Sequence, residues 1–256
     1  MSSAMLDHVI AQVLSLQVRL LACQARLAAD TDGEALHDLR IGVRRLRSLL
    51  RPLRELPGVE QLEAAAQALG SLTTPMRDRE VLAAQLLERR QTVAAHTRLA
   101  HRAQTFASVA ASAELARLLA IVDAFPVFLR AAQRQGLIRR LQQRIDKRLE
   151  KQWKQLRQAL DDPAHDRHRL RLLIKRVRYA AEAYPQLQHS NPRLQKALRR
   201  AQGDLGSWHD LLQWLLQAEQ QSDLAPCVSH WQMQLTKAEQ CADATLDRLQ
   251  EQLAQR

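Results

Sequence analysis

Two stretches of this chain carry basic side chains at helical spacing. In the first, HDLRIGVRRLRSLLRPLR at 37–54, His37, Arg40, Arg44, Arg47, Arg51 and Arg54 follow steps of three and four. At about 100° per residue these positions fall within an arc of roughly 100° on one helix. Arg45 stands beside the line, and Asp38 is the only acid in the stretch. Like charges so aligned repel one another unless an anion offsets them. Phosphate is well suited, because a guanidinium keeps its charge at physiological pH and its planar fork grips two nonbridging oxygens at once. Lysine adds charge with less direction.

The pattern returns 131 residues later. HRLRLLIKRVRYAAEAYP at 168–185 pairs His37 with His168, Arg40 with Arg171, Arg44 with Lys175, Arg45 with Arg176 and Arg47 with Arg178. The apolar positions travel with the basic ones: Leu39, Val43, Leu46, Leu50 and Leu53 map onto Leu170, Ile174, Val177, Ala181 and Tyr184. Arg140, Arg144, Lys147, Lys151 and Lys154 extend the same spacing upstream, and residues 139–178 hold 14 basic against five acidic side chains. Lys196, Arg199 and Arg200 are placed to close the edge of this second site. A charge run is ordinarily a solvated surface, but a solvated face mixes its signs. This one is almost purely basic and occurs twice.

The elements that position these residues read as helices throughout. Seven glycines and eight prolines in 256 residues, with no alternation of β-branched residues, define an all-α chain. Leu6, Val9, Ile10, Val13, Leu16 and Leu20 mark a first helix ending near Asp30, and a second ends at LPG, 56–58. A third is expected to end near Gly70 and a fourth to begin after Pro75; residues 92–135 read as shorter helical pieces broken at Pro126. The pattern starts again at Gly136. These boundaries define an internally duplicated chain with a first helical repeat over about 5–95, a connector over about 96–135 and a second repeat over about 136–254, each repeat expected as a four-helix bundle. On each stripe the apolar line lies about 100° from the basic line, so the cationic heads line a groove beside the core.

Composition bounds the partners. With 46% apolar residues the chain can bury a sizeable core, and 38 Lys and Arg against 27 Asp and Glu leave a net charge of +11. That sign favours a polyanion without choosing among nucleic acid, anionic lipid and phosphate chains. Cys23, Cys227 and Cys241 lack the number and spacing of a disulfide framework or zinc knuckle, which fits a reducing cytoplasm. The start, MSSAMLDHVIAQVLSLQ, has no basic region before its apolar residues, and neither a signal peptide nor a membrane span is expected. No P-loop, dinucleotide fingerprint, nucleophile elbow or metal constellation occurs, so the chain is expected to be no enzyme and to need no cofactor or metal. Aromatic residues are 4% of the chain and none interleaves with the stripes before Tyr179, so base stacking has few platforms. Backbone-directed nucleic-acid binding, or a scaffold for acidic proteins, therefore stands second to a phosphate chain. Trp153, Trp208, Trp214 and Trp231 are expected to fill interhelical gaps.

HxxRxxxRRxR at 37–47, its echo HxxRxxxKRxRYxxE at 168–182, and the acidic turns RDREVL at 77–82 and LGSWHDLL at 205–212 resemble the CHAD domain, the conserved histidine α-helical domain. The resemblance spans nearly the whole chain and includes both repeats. It implies a pair of pseudo-symmetric four-helix bundles with a basic groove, and binding of inorganic polyphosphate, in some members at polyphosphate granules. The chain departs from the common pattern in a longer turn, LGSLTTPMRD at 69–78, and in carrying His209 where the first half has Arg77. Asp78 and Asp210 stay matched and are expected to orient the arginines rather than act as catalytic acids. The resemblance marks His37 and His168, each near a helix start, where an imidazole can meet phosphate or cap the helix.

Overall fold

The computed structural model describes residues 2–162, 164, 166–187 and 191–254, with side chains from Ala4 onward. Every element among them is helical. The chain divides into two compact units, Met1–Asp146 and Lys147–Arg256.

In the first unit, α1 (Ser2–Ala28) buries Leu6, Val9, Val13, Leu20, Cys23 and Leu27 and packs against α2 (Ala35–Leu50), α5 (Arg102–Ala110) and α6 (Ala113–Arg134). By length and composition alone, Ala4–Ala28 is apolar enough to cross a membrane, with a mean hydropathy of 1.3, a test that a bundle's core helix also passes. The side of α1 that carries Leu14, Val18 and Leu21 is exposed. On α2 the expected apolar line is buried at Leu39, Val43, Leu46 and Leu50, and Leu53 joins it from a short 3-10 turn, Arg51–Leu53. Gly42 permits close approach of the two helices: a Cβ there would stand 3.1 Å from Leu20 Cδ2. Because α2 ends at Leu50, Arg51 and Arg54 lie beyond it, and the first stripe is shorter than one continuous helix would make it.

α3 (Val59–Glu88) runs unbroken through Gly70 and Pro75, where a break had been expected. Pro75 has no N–H for the Ser71 carbonyl. Nearby hydroxyls reinforce the turn: Thr73 donates to the Leu69 carbonyl at 2.8 Å and Thr74 to that of Gly70 at 2.8 Å. Leu69, Leu82 and Leu86 remain buried along the same helix. Its start requires Gly58, which has φ +77° and would place a Cβ 2.7 Å from Phe128 of α6. After α4 (Thr92–Leu99) and α5, α6 likewise passes through Pro126 without a break. Leu118, Val122, Phe125, Pro126 and Leu129 are buried in succession, so packing holds the helix across the residue that would interrupt it alone.

α7 (Leu141–Leu160) begins in the last residues of the first unit. The second unit continues with α8 (Arg167–Ala183), α9 (Pro192–Ala218) and α10 (Ala225–Ala254). Asp166 caps α8 by accepting from Arg169 N, and Asn191 caps α9 by accepting from Leu194 N at 2.8 Å. One core joins Trp153 and Leu156 of α7, Leu170, Ile174 and Val177 of α8, Leu198, Leu205 and Trp208 of α9, and Leu246 and Leu249 of α10. Trp231 is also buried, and Trp214 lies against it with ring centroids 5.7 Å apart.

Candidate anion-binding site

The basic residues of the first unit meet α3. Arg40 is half-buried and donates through Nη1 to the Gly70 carbonyl at 3.1 Å, the Thr73 hydroxyl at 2.9 Å and the Thr74 hydroxyl at 3.1 Å. Burial lowers its pKa, the Asp78 carboxylate opposes that, and the Arg77 and Arg44 charges add to it. The surrounding protein raises the Asp78 carboxyl, while Arg40 and Arg77 pull it down. Arg77 is paired with Glu80 at 2.9 Å. His37 lies half-buried in the first turn of α2, and Arg44 and Arg45 are exposed.

Beyond the end of α2 a basic side chain meets a carboxylate of α3. Arg54 forms a two-bonded ion pair with Glu63, a carboxylate nine-tenths buried. Burial pushes Glu63 up, but the Arg54 hydrogen bonds and the Arg54, Arg51 and Arg47 charges outweigh it and leave the carboxyl below its ordinary range. Arg47 keeps a buried Nε without a hydrogen-bond partner. Glu63 therefore supplies a counter-charge within the protein for the Arg47–Arg54 end, while His37, Arg40, Arg44 and Arg45 form the end nearer Asp78. Sequence spacing did not single out Glu63; its position among apolar neighbours on α3 was the available signal.

In the second unit α8 packs against α9. His168 and His209 stand with ring centroids 5.7 Å apart. Burial, then the Arg171, His168 and Lys175 charges, push His209 down to about 4. Burial lowers the pKa of the half-buried Arg171 guanidinium, and Asp210 only partly opposes it. Arg171 Nε and His209 Nδ1 are both buried without a hydrogen-bond partner. Toward the other end of α8, Arg178 donates to Gln202 and, at 2.7 Å, to Glu182, and lies 4.5 Å from the Tyr179 ring centroid. Arg176 is exposed.

Some of the remaining basic residues fall elsewhere. Arg140 precedes α7 at φ +50°, and Arg144 of the first unit pairs with Glu55 at 3.2 Å. Lys147 and Lys151 are exposed on α7. Lys196, Arg199 and Arg200 are exposed on α9, and Arg200 lies 3.8 Å from Asp204. At 1.5 Å per residue they sit about 13–20 Å along α9 from His209, so they flank the Arg178 end of α8. The spacing also passed over Arg167, which grips Asp243 of α10 at 2.8 and 2.7 Å and stands 5.9 Å over the Trp208 ring.

Each unit thus joins a basic helix to a neighbour bearing a matched aspartate, Asp78 or Asp210. Half-buried guanidinium groups beside exposed cations have the chemistry to bind an anion with many oxygens, since ordered cations lose less entropy on binding than flexible ones.

Comparison with known proteins finds one family and a solved structure of the same family. The family model described as the CHAD domain matches residues 12–219. The crystal structure of the CHAD domain from the plant Ricinus communis superposes with a TM-score of 0.74 at 26% identity, covering 97% of this chain and 91% of that one. No curated relative matches.

Proposed function

The chain belongs to the CHAD domain family, and on that premise we propose that it binds inorganic polyphosphate through the basic helix pairs α2–α3 and α8–α9. The family is associated with polyphosphate binding in general. The observation that supports the reading for this chain is a half-buried arginine on the basic helix of each unit, Arg40 or Arg171, within electrostatic reach of an aspartate on the neighbouring helix, Asp78 or Asp210. We take the units as copies of one duplicated helical bundle, each presenting a basic groove. His37, Arg40, Arg44 and Arg45 line the first; His168, Arg171, Lys175 and Arg176 line the second. Arg178, Lys196, Arg199 and Arg200 extend the second groove along α8 and α9, and Lys147 and Lys151 add charge from α7.

Binding here needs no bond to be made or broken. Rows of guanidinium and ammonium groups replace the counterions of the chain, and their release contributes much of the free energy. The aspartates offset the repulsion among the cations. In this reading the protein is a non-enzymatic, cytoplasmic binder that can associate with polyphosphate granules.

Calorimetric titration with long-chain polyphosphate, tripolyphosphate and duplex DNA tests this directly. Tight binding of the long chain that duplex DNA does not displace supports the proposal. Equal competition by DNA or RNA would move the reading to backbone-directed nucleic-acid binding, and a lack of response to any polyanion would favour a docking surface for proteins.

A further inference from the structure

The two matched sites differ in what their buried cations already hold. In the first unit Arg40 spends three hydrogen bonds on α3, and Arg77 is paired with Glu80. The unpartnered Arg47 Nε lies at the Glu63 end, where a carboxylate supplies the counter-charge. In the second unit Arg171 Nε and His209 Nδ1 are both buried without partners, and His168 and Lys175 complete the cluster. We infer that His168, Arg171, Lys175 and His209 form a proton-linked phosphate subsite, in which a phosphate group entering among them draws a proton onto His209 and makes it a further donor to the chain. This rests on the polyphosphate reading and deepens it.

The physical reason is the charge around the ring. His209 faces His168, Arg171 and Lys175 from α8, with Trp208 and Asp210 beside it on α9; from α10, Asp243 and Glu239 hold Arg167, which covers Trp208. Burial, and then the electrostatic effect of Arg171, His168 and Lys175, keep the free imidazole neutral down to about 4. An anion bound to those cations cancels their repulsion and stabilises the imidazolium, both of whose ring nitrogens donate. The complex then binds more protons than the free protein, so this contribution to affinity grows as pH falls below the pKa of the bound state and is complete below about 4. Each unit of upward shift on binding is worth about tenfold in affinity on the acidic side. The first unit has Arg77 at the position of His209, a fixed charge with no such linkage.

The experiment uses the full chain and a long polyphosphate, whose internal groups stay ionised in this range. The His209 ring signals are followed by NMR against pH with and without polyphosphate, and proton uptake at pH 5.5 is measured by calorimetry in buffers of different ionisation enthalpy. The expected result is a His209 midpoint that rises from about 4 on binding. Proton uptake should accompany it, falling in His209→Gln and persisting in Arg77→Gln. An unmoved His209 midpoint in the saturated wild-type complex would overturn the subsite while leaving polyphosphate binding intact, and that measurement needs no variant to fold. Absence of wild-type binding at any pH would instead remove the functional reading on which the subsite rests.

Discussion

Arg40 of α2 donates through Nη1 to the hydroxyl of Thr73 on α3, 2.9 Å away, and Thr73 is fully buried. The bond ties the basic helix to the turn around Pro75 and makes a site residue part of the packing. Replacing Thr73 by valine keeps the shape and removes the acceptor for Arg40. Urea unfolding should show a loss of about 1–3 kcal/mol, the usual cost of leaving a buried polar group unsatisfied. An unchanged midpoint would mean that the Gly70 carbonyl and Thr74 suffice to hold Arg40.

Exposed and half-buried cations should separate binding from stability. Replacing Arg44 and Arg45, or Arg176, by glutamine should weaken long-chain polyphosphate binding while leaving unfolding within about 0.5 kcal/mol of the wild type, because these side chains are exposed. Replacing Arg178 should lower stability as well, since Gln202 and Glu182 lose their partner. Wild-type affinity in both exposed sets would place the ligand away from these helices.

Salt and chain length report on how many cations engage. Log affinity should fall linearly with log salt, with a slope of about 0.7–0.9 for each phosphate contacted. Tripolyphosphate should bind far more weakly than a long chain, because it reaches fewer cations along a helix. Neutralising Arg171, Lys175 and Arg178 together should reduce the slope by up to about three contacts. Equal affinity for short and long chains would require a compact site for one small phosphate.

Glu63 links stability to pH. Its folded-state pKa is lowered, so its contribution is present above the ordinary carboxylate value near 4.3 and is lost as pH falls through the lower folded value. Glu63→Gln should cost about 1 kcal/mol at pH 7, a figure discounted for the solvent exposure of Arg54. The gap between variant and wild type should close as pH falls below 4. A gap that persisted in acid would assign the loss to packing instead of charge.

The apolar line from Leu39 to Leu53 and its echo from Leu170 were legible in the sequence, because period 3.6 repeats on one helix without reference to any other element. The basic residues at 37–47 and 168–178 were legible for the same reason, as was the family they resemble. The prolines were misread. Pro75 and Pro126 break helices by local rules, yet α3 and α6 continue, because Leu82, Leu86 and Leu129 beyond them are buried with the residues before them. The sequence alone determined which residues are cationic, how they are spaced along each helix, and that the spacing occurs twice. Tertiary structure alone decided which cations are already paired: Glu63 reaches Arg54 from another helix, Gln202 reaches Arg178, and Arg171 and His209 retain buried nitrogens without partners. Charge and period belong to one helix, whereas pairing and desolvation depend on the neighbour packed across it.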